Sequence, residues 1–252
     1  ATIFAMEVES VGIMYYAALV PCALSAIIAS NFAINMGINP ESFTVKAVPE
    51  LTVFTSLKVV VLAVICAYIS AVFCIMLHTA SKYLKKYLKN PYIRIIAVSL
   101  VIILITVLLG TSDYMGAGIN VIERAIEGEV RPEAFLIKMM LTALALGAGF
   151  KGGEIVPSFY IGATAGCLLG YILGISPSFA AALGMTAVFC GVTNCPISSV
   201  LISFELFGYS GNCFYLITAA IAYLLSGYYS LYSGQKIMYS KARTEYINYK
   251  TK

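Results

Sequence analysis

Charge, histidine and tryptophan are scarce in this chain. Asp, Glu, Lys and Arg make up 11% of its 252 residues, with one histidine and no tryptophan. Soluble globular chains carry about a quarter charged residues, so a water-soluble fold is excluded. Hydrophobic residues reach 60% and mean hydropathy is +0.90, the balance of an integral membrane protein. No zinc-protease helix, nucleophile elbow or phosphate loop occurs, and a single histidine leaves little to build a metal site from. The chain therefore carries no visible enzyme chemistry, and no cofactor or metal is expected. Cys22, Cys66, Cys74, Cys167, Cys190, Cys195 and Cys213 lie in or beside apolar segments without a ligand partner. They read as small hydrophobes in a reducing-side protein. His78 ends an apolar run just before a lysine cluster and reads as a surface residue. With no tryptophan, tyrosines such as Tyr83, Tyr87 and Tyr92 must supply much of the interfacial belt.

What is present is a series of helix-length apolar runs. They extend from Ile13 to Ile34, Val53 to Leu77, Ile93 to Gly110, Phe135 to Gly149, Val156 to Ile175, Phe179 to Val192, Pro196 to Phe207 and Phe214 to Leu225. Only some reach the roughly 20 residues that span a bilayer. The shorter ones, punctuated by Gly and Pro, predict tilted, broken or re-entrant helices, tolerated in a membrane only where they are buried or line a cavity. The predicted fold class is thus an all-α polytopic membrane protein. Lys82, Lys85, Lys86, Lys89 and Arg94 form one basic cluster, and Lys236, Lys241, Arg243, Lys250 and Lys252 another. Both predict a cytoplasmic side. No soluble domain accompanies them, so nucleic acid is not an expected partner.

Residues 1–252 read as a single transmembrane domain that enters mid-helix at Ala1, without a targeting signature. Something upstream is expected to be missing. The opening Thr2–Val8 and the later Ser199–Leu206 are both apolar stretches closing on a glutamate, with aromatic pairs Tyr15-Tyr16 and Phe214-Tyr215 soon after. This predicts a two-fold repeat: residues 1–10 end the first copy, 11–231 hold the remaining transmembrane helices, and 232–252 form a terminal cytoplasm-facing helix. Ion sites of such proteins lie at the repeat interface.

The most informative stretch is Lys151-Gly152-Gly153-Glu154-Ile155-Val156-Pro157-Ser158-Phe159. Paired glycines let a ligand approach the backbone, and Pro157 suits the first turn of a helix. Unpaired N–H groups and the dipole make that helix start an anion site, worth about 0.3–1 kcal/mol when exposed and up to about 2 when partly buried. Downstream, Gly162, Gly166 and Gly170 leave one helix face bare for close packing. Asp113, Glu123, Arg124, Glu127, Glu129, Arg131 and Glu133 surround a weakly apolar segment and read as loop and interfacial positions.

Gly152 to Ala163 resembles the GGxFxP element of the CLC anion channels and exchangers. Gly191-Val192-Thr193-Asn194-Cys195-Pro196-Ile197-Ser198 with Phe204-Glu205-Leu206 is similar to their later proline-started helix, and Gly234-Gln235-Lys236-Ile237-Met238-Tyr239 to the element that presents a tyrosine hydroxyl to the ion. The resemblance implies the carboxyl-terminal half of a CLC subunit. Its implied anion site is Gly152, Gly153, Glu154, Ile155, Val156 and Tyr239, with backbone N–H groups of Glu154 and Ile155 aimed at the ion. The family's external gating glutamate and serine loop fall in the other half, so an amino-terminal half is an implied partner. Homodimers are implied too, with the opening helix, the next one and those after Cys195 and Gly211 at the interface. A multi-pass position in a bacterial plasma membrane follows from the same resemblance, with the lipid bilayer as its surroundings.

Chloride members carry apolar residues between the glycines and the proline, whereas Glu154 is similar to the fluoride-exporting branch. A charge at the bilayer centre costs about 2.5–3.5 kcal/mol, more than the dipole returns. The remainder must come from water, a cation such as Lys151, or protonation, because burial favours the neutral acid. A carboxyl that alternates between the two forms can exchange a proton for an anion; a salt-bridged or water-exposed Glu154 beside Lys151 is the other reading. Val8 stands where chloride/proton exchangers hold a second acid, and Val156 where fluoride relatives can place a hydroxyl. Glu7 and Glu205 read as helix-end acids bonded to backbone. The expected function is halide transport, first as fluoride/proton antiport. The alternatives are a chloride channel or chloride/proton exchanger, or a truncated half that does not transport alone.

Overall fold

The computed structural model describes residues 1–38 and 40–251. In chain order it comprises α1 (Thr2–Glu7), β1 (Ser10–Val11), a 3-10 turn (Tyr16–Ala18), α2 (Leu19–Asn35), α3 (Val53–Tyr87), α4 (Pro91–Leu109), α5 (Ile119–Glu127), α6 (Ala134–Ala148), α7 (Ile155–Leu173), α8 (Pro177–Thr193), α9 (Pro196–Phe207), α10 (Asn212–Leu225), β2 (Lys236–Tyr239) and β3 (Tyr246–Lys250). The segments Tyr16–Asn35, Val53–Tyr87, Pro91–Leu109 and Ile155–Leu173 are long and apolar enough to cross a bilayer. The helices α6 and α8 to α10 are shorter, as their Gly and Pro boundaries dictate. Proline opens α4, α8 and α9, where its missing N–H costs nothing.

The centre of the molecule is the α7–α8 pair, and α8 is buried along its length from Ser178 to Thr193. The bare stripe on α7 faces α8. A Cβ on Gly162 would come within 2.5 Å of the Gly184 carbonyl oxygen, and one on Gly166 within 2.3 Å of that of Ala180. Backbones this close leave no room for side chains. Around the pair, α3, α6 and α10 bury Phe73, Met139 and Tyr215, while α2 buries no residue and α4 only Val98. Those two helices present apolar faces outward.

The structure departs from the sequence reading at three points of the fold. The third helix does not stop at Leu77 but continues to Tyr87, through His78, Lys82, Lys85 and Lys86; lysine is a good helix former, and polarity alone does not end a helix. The predicted helix over 232–252 is instead a β-hairpin on the edge of β1. β1 pairs parallel with β2 (Ser10 opposite Lys236, Val11 opposite Ile237), and β2 pairs antiparallel with β3 (Tyr239 opposite Tyr246). Ile237, Tyr239, Tyr246, Ile247 and Tyr249 supply the β-branched and aromatic residues that favour strands. Lys252 lies outside the described residues. Lys241, expected on a basic surface, turns inward: Nζ donates to Asn194 Oδ1 (2.5 Å) and Ser226 Oγ (2.9 Å) and sits 4.8 Å over the Tyr223 ring.

Candidate functional site

α6 ends at Gly149 with φ of 106°, and residues 150–153 form a short loop into α7, whose N-cap is Glu154. The first helical turn takes up only one amide near this point, Ser158 N–H to the Glu154 carbonyl (3.3 Å). Pro157 has no N–H, and those of Glu154, Ile155 and Val156 find no acceptor among the described residues. Three unbonded backbone donors therefore lie at the positive end of a 19-residue helix.

Gly152 and Gly153 are exposed. Neither has positive φ. A Cβ on Gly153 would meet nothing within 4 Å, and one on Gly152 only Leu146 Cδ2 at 3.5 Å. Neither packing within this chain nor backbone conformation requires glycine at 153. What its bare backbone keeps open is the approach to the α7 donors. A cavity of about 540 Å³, lined by Ser99, Lys138, Thr142, Gly153, Val156 and Pro157 among others, reaches this point from one flank. A hollow of about 340 Å³ beside Phe159, Phe189 and Glu205 reaches Ile155 from another.

Glu154 is half-buried. Its carboxylate accepts no hydrogen bond and forms no ion pair among the described residues, where the one salt bridge is Arg124 to Asp113 (2.8 Å). The pairing with Lys151 is not formed. Val156 turns outward at 36% exposure. The residue that opens α7 thus carries an unpaired carboxyl, which would repel an anion when charged and could donate to one when protonated.

Tyr239 is not brought to this point. It lies on β2, with its ring edge-on to Tyr246 (centroids 5.6 Å apart) and against the backbone of Gly12. No hydrogen bond, ring contact or shared cavity joins it to residues 152–156 among the described residues. Pairing of β2 between β1 and β3 accounts for this, since it holds Tyr239 at the end of the central strand, opposite Tyr246. Glu7 caps α9, because its carboxylate accepts the N–H groups of Ile197 (3.1 Å) and Ser198 (2.8 Å) and the Ser198 hydroxyl (2.5 Å). Glu205 lines the smaller hollow.

One residue escaped the sequence reading. Lys138, only 2% exposed, donates through Nζ to the carbonyls of Gly116 (2.7 Å) and Tyr114 (3.2 Å) and lies 4.8 Å from the Tyr160 ring centroid. A lone lysine inside the apolar run 135–149 was the available signal. Its placement puts a cation in the wall of the larger cavity.

The family described as Voltage gated chloride channel matches residues 1–227. A protein of Pseudomonas syringae pv. tomato described as "Chloride/fluoride channel protein" is 31% identical over 245 residues, 95% of this chain and 54% of its own length. Among solved structures, a CLC-type fluoride/proton antiporter superposes with a TM-score of 0.89 at 32% identity, covering 92% of this chain and 59% of that one. A eukaryotic CLC transporter shares the fold alone, with a TM-score of 0.63 at 22% identity over 88% of this chain and 40% of that one. The chain thus spans little more than half the length of the first two of these relatives. With its polytopic helical fold, its paired glycines opening α7 and its match across 227 residues, the chain belongs to the CLC, or voltage-gated chloride channel, family.

Proposed function

We propose that this chain forms the carboxyl-terminal half of a halide transporter that exchanges fluoride for protons. The observation that carries the reading is the coincidence, at the start of α7, of three free backbone N–H groups with an unpaired, half-buried Glu154. Fluoride is small, strongly hydrated and the conjugate base of a weak acid. A carboxyl able to donate a hydrogen bond therefore offers it more than it offers chloride, while helix amides serve either ion. The 32% identical fluoride/proton antiporter structure and the 31% identical chloride/fluoride channel protein support the same ion class.

Gly152 and Gly153 leave the backbone open, and Glu154, Ile155 and Val156 supply the N–H donors. Glu154 also takes and releases the proton. This is transport, with no covalent chemistry and no cofactor. The complete subunit is this chain with a CLC amino-terminal half; it works in a lipid bilayer, a bacterial plasma membrane by the kinship to a bacterial relative, as a homodimer through α1, α2, α9 and α10. Proteoliposomes holding the complete subunit, followed with fluoride- and chloride-selective electrodes and a pH electrode together, test the reading. Fluoride efflux well above chloride efflux, with protons moving in opposition, is expected. Equal rates without a pH change would make it a chloride channel.

A further inference from the structure

The cavity of about 540 Å³ between α4, α6 and the start of α7 holds a charge that nothing balances. Lys138 stands one turn into α6 and is 2% exposed. No carboxylate lies within ion-pair distance of it among the described residues, where the one salt bridge joins Arg124 to Asp113. Of the three donors an ammonium carries, one goes to the Gly116 carbonyl (2.7 Å) and one to that of Tyr114 (3.2 Å). The third finds no acceptor among the described residues. Carbonyl dipoles neutralise no charge, and an ionisable group inside a membrane is costly unless it is paired. Thr142, one turn further along the same helix face, is buried and lines the same cavity, and its hydroxyl makes no hydrogen bond among the described residues. A free ammonium hydrogen and a free hydroxyl side by side are what a carboxylate accepts from.

Beyond this polar end the cavity is walled by hydrocarbon. Leu141 and Leu146 come from α6, Ile102 and Ile103 from α4, and Val156 and Pro157 from the start of α7. Gly152 lies against Leu146 and marks the far end. From Lys138 to Leu146 the helix rises about 12 Å. With C–C bonds of about 1.5 Å and angles near 111°, an extended alkyl chain advances about 1.25 Å per carbon, so about ten carbons fill that length. Water has too few partners along such walls. A hydrated halide would lose its shell to them for the same reason. Ile103 and Phe150 line the cavity and are exposed, so it opens beside the apolar face that α4 turns outward. An amphiphile dissolved in the bilayer reaches it from there.

We propose that this cavity is a binding site for a fatty carboxylate, with the carboxylate on Lys138 Nζ and Thr142 Oγ1 and the alkyl chain running between α4 and α6 to end beside Gly152. Its volume falls within the range of about 300–1,000 Å³ that small-ligand sites occupy. A phospholipid is excluded by its own shape, since its phosphate carries glycerol and a second chain into an end where the lysine is buried. The site is made by this chain's residues alone and stands whichever halide the protein moves.

A ten-carbon acid with a diazirine on its last carbon, added to the complete subunit in a neutral maltoside detergent and irradiated, reports where the tail lies. Peptide mass spectrometry should find the label on residues 146–157, and unlabelled decanoate should compete it away. The matching ten-carbon alcohol, which lacks the charge, should label that segment at least about tenfold more weakly, and Lys138→Gln should reduce labelling by the acid as much. Because Lys138→Gln also frees the carbonyls of Gly116 and Tyr114, Ala145→Leu serves as the second variant. It fills the cavity from its α6 wall, leaves Lys138 in place and keeps a good helix former; it should abolish the labelling of 146–157. Labelling that is equal for acid and alcohol, or indifferent to both substitutions, would reduce the effect to partition into apolar surface and overturn the proposal. A segment 146–157 left unlabelled would show the cavity filled in the complete subunit and overturn it too. So would equal labelling by a phosphatidylglycerol carrying the same diazirine chain, which would make the site one for lipid headgroups.

Discussion

Gly153→Ala separates a glycine kept for a ligand from one kept for packing. The new methyl meets nothing within 4 Å, and the backbone there is not in the positive-φ region. Stability of the chain should change by no more than about 0.5 kcal/mol, or rise by about 0.4–1 kcal/mol through the loss of unfolded-state freedom. Gly166→Ala is the contrast. Its methyl would lie 2.3 Å from the Ala180 carbonyl oxygen and 2.9 Å from the Gly184 Cα, backbone atoms of a fully buried helix that cannot turn aside. Overpacking of this kind costs about 1–3 kcal/mol and more where backbone must shift. Thermal unfolding of the two variants in detergent, followed by circular dichroism, should therefore rank Gly166→Ala well below wild type and Gly153→Ala level with it. Anion binding should rank them differently. The methyl at 153 stands at the mouth of the free α7 amides, where loss of one hydrogen bond to a charged ion costs about 1.5–3 kcal/mol, so calorimetry on the complete subunit should show at least about a tenfold weaker fluoride affinity. Unaltered affinity, or destabilisation of Gly153→Ala equal to that of Gly166→Ala, would refute the reasoning.

Glu7→Ala leaves the N–H groups of Ile197 and Ser198 unpaired at the start of α9 and should destabilise the chain by about 1–3 kcal/mol in detergent unfolding; no loss would mean that water replaces the cap. Tyr239→Phe should leave halide affinity unchanged by calorimetry, because the hydroxyl lies away from residues 152–156; a weakening of about 0.5–1.5 kcal/mol would show that the terminal segment turns inward in the complete subunit. The 252-residue chain reconstituted alone should give no halide flux from liposomes, since it spans 54% of its chloride/fluoride relative. Robust efflux would show that this chain carries a pathway by itself.

The helices were readable from the sequence because apolar runs in a membrane protein are bounded by visible Gly, Pro and charged residues. The start of α7 was readable for the same reason: Gly152, Gly153 and Pro157 announce it without any knowledge of neighbours. Gly162, Gly166 and Gly170 told of close packing but not that α8 would fill the groove. Contacts between distant parts of the chain were not readable. Glu7 caps α9 across 190 residues, and nothing local to either segment reveals the pairing. His78 and Lys241 look like surface residues in sequence, and Lys138 shows only as a lone lysine in an apolar run. Their burial is decided by carbonyls and side chains from elsewhere: Ser230, Gly116 and Asn194. A terminal helix was expected where a hairpin forms, because the resemblance of residues 234–239 outweighed the strand propensity of residues 246–249 and could not anticipate the open edge of β1.

Antiport through this site requires that the Glu154 carboxyl gain and lose a proton as the anion moves. Glu154→Gln in the complete subunit keeps the size of the side chain and its ability to donate, but can no longer titrate. In vesicles with an imposed fluoride gradient, the unsubstituted protein should drive protons against that gradient, and Glu154→Gln should abolish proton movement while the dimer stays folded by size-exclusion chromatography. Proton movement that persists in Glu154→Gln at the unsubstituted rate would contradict the account.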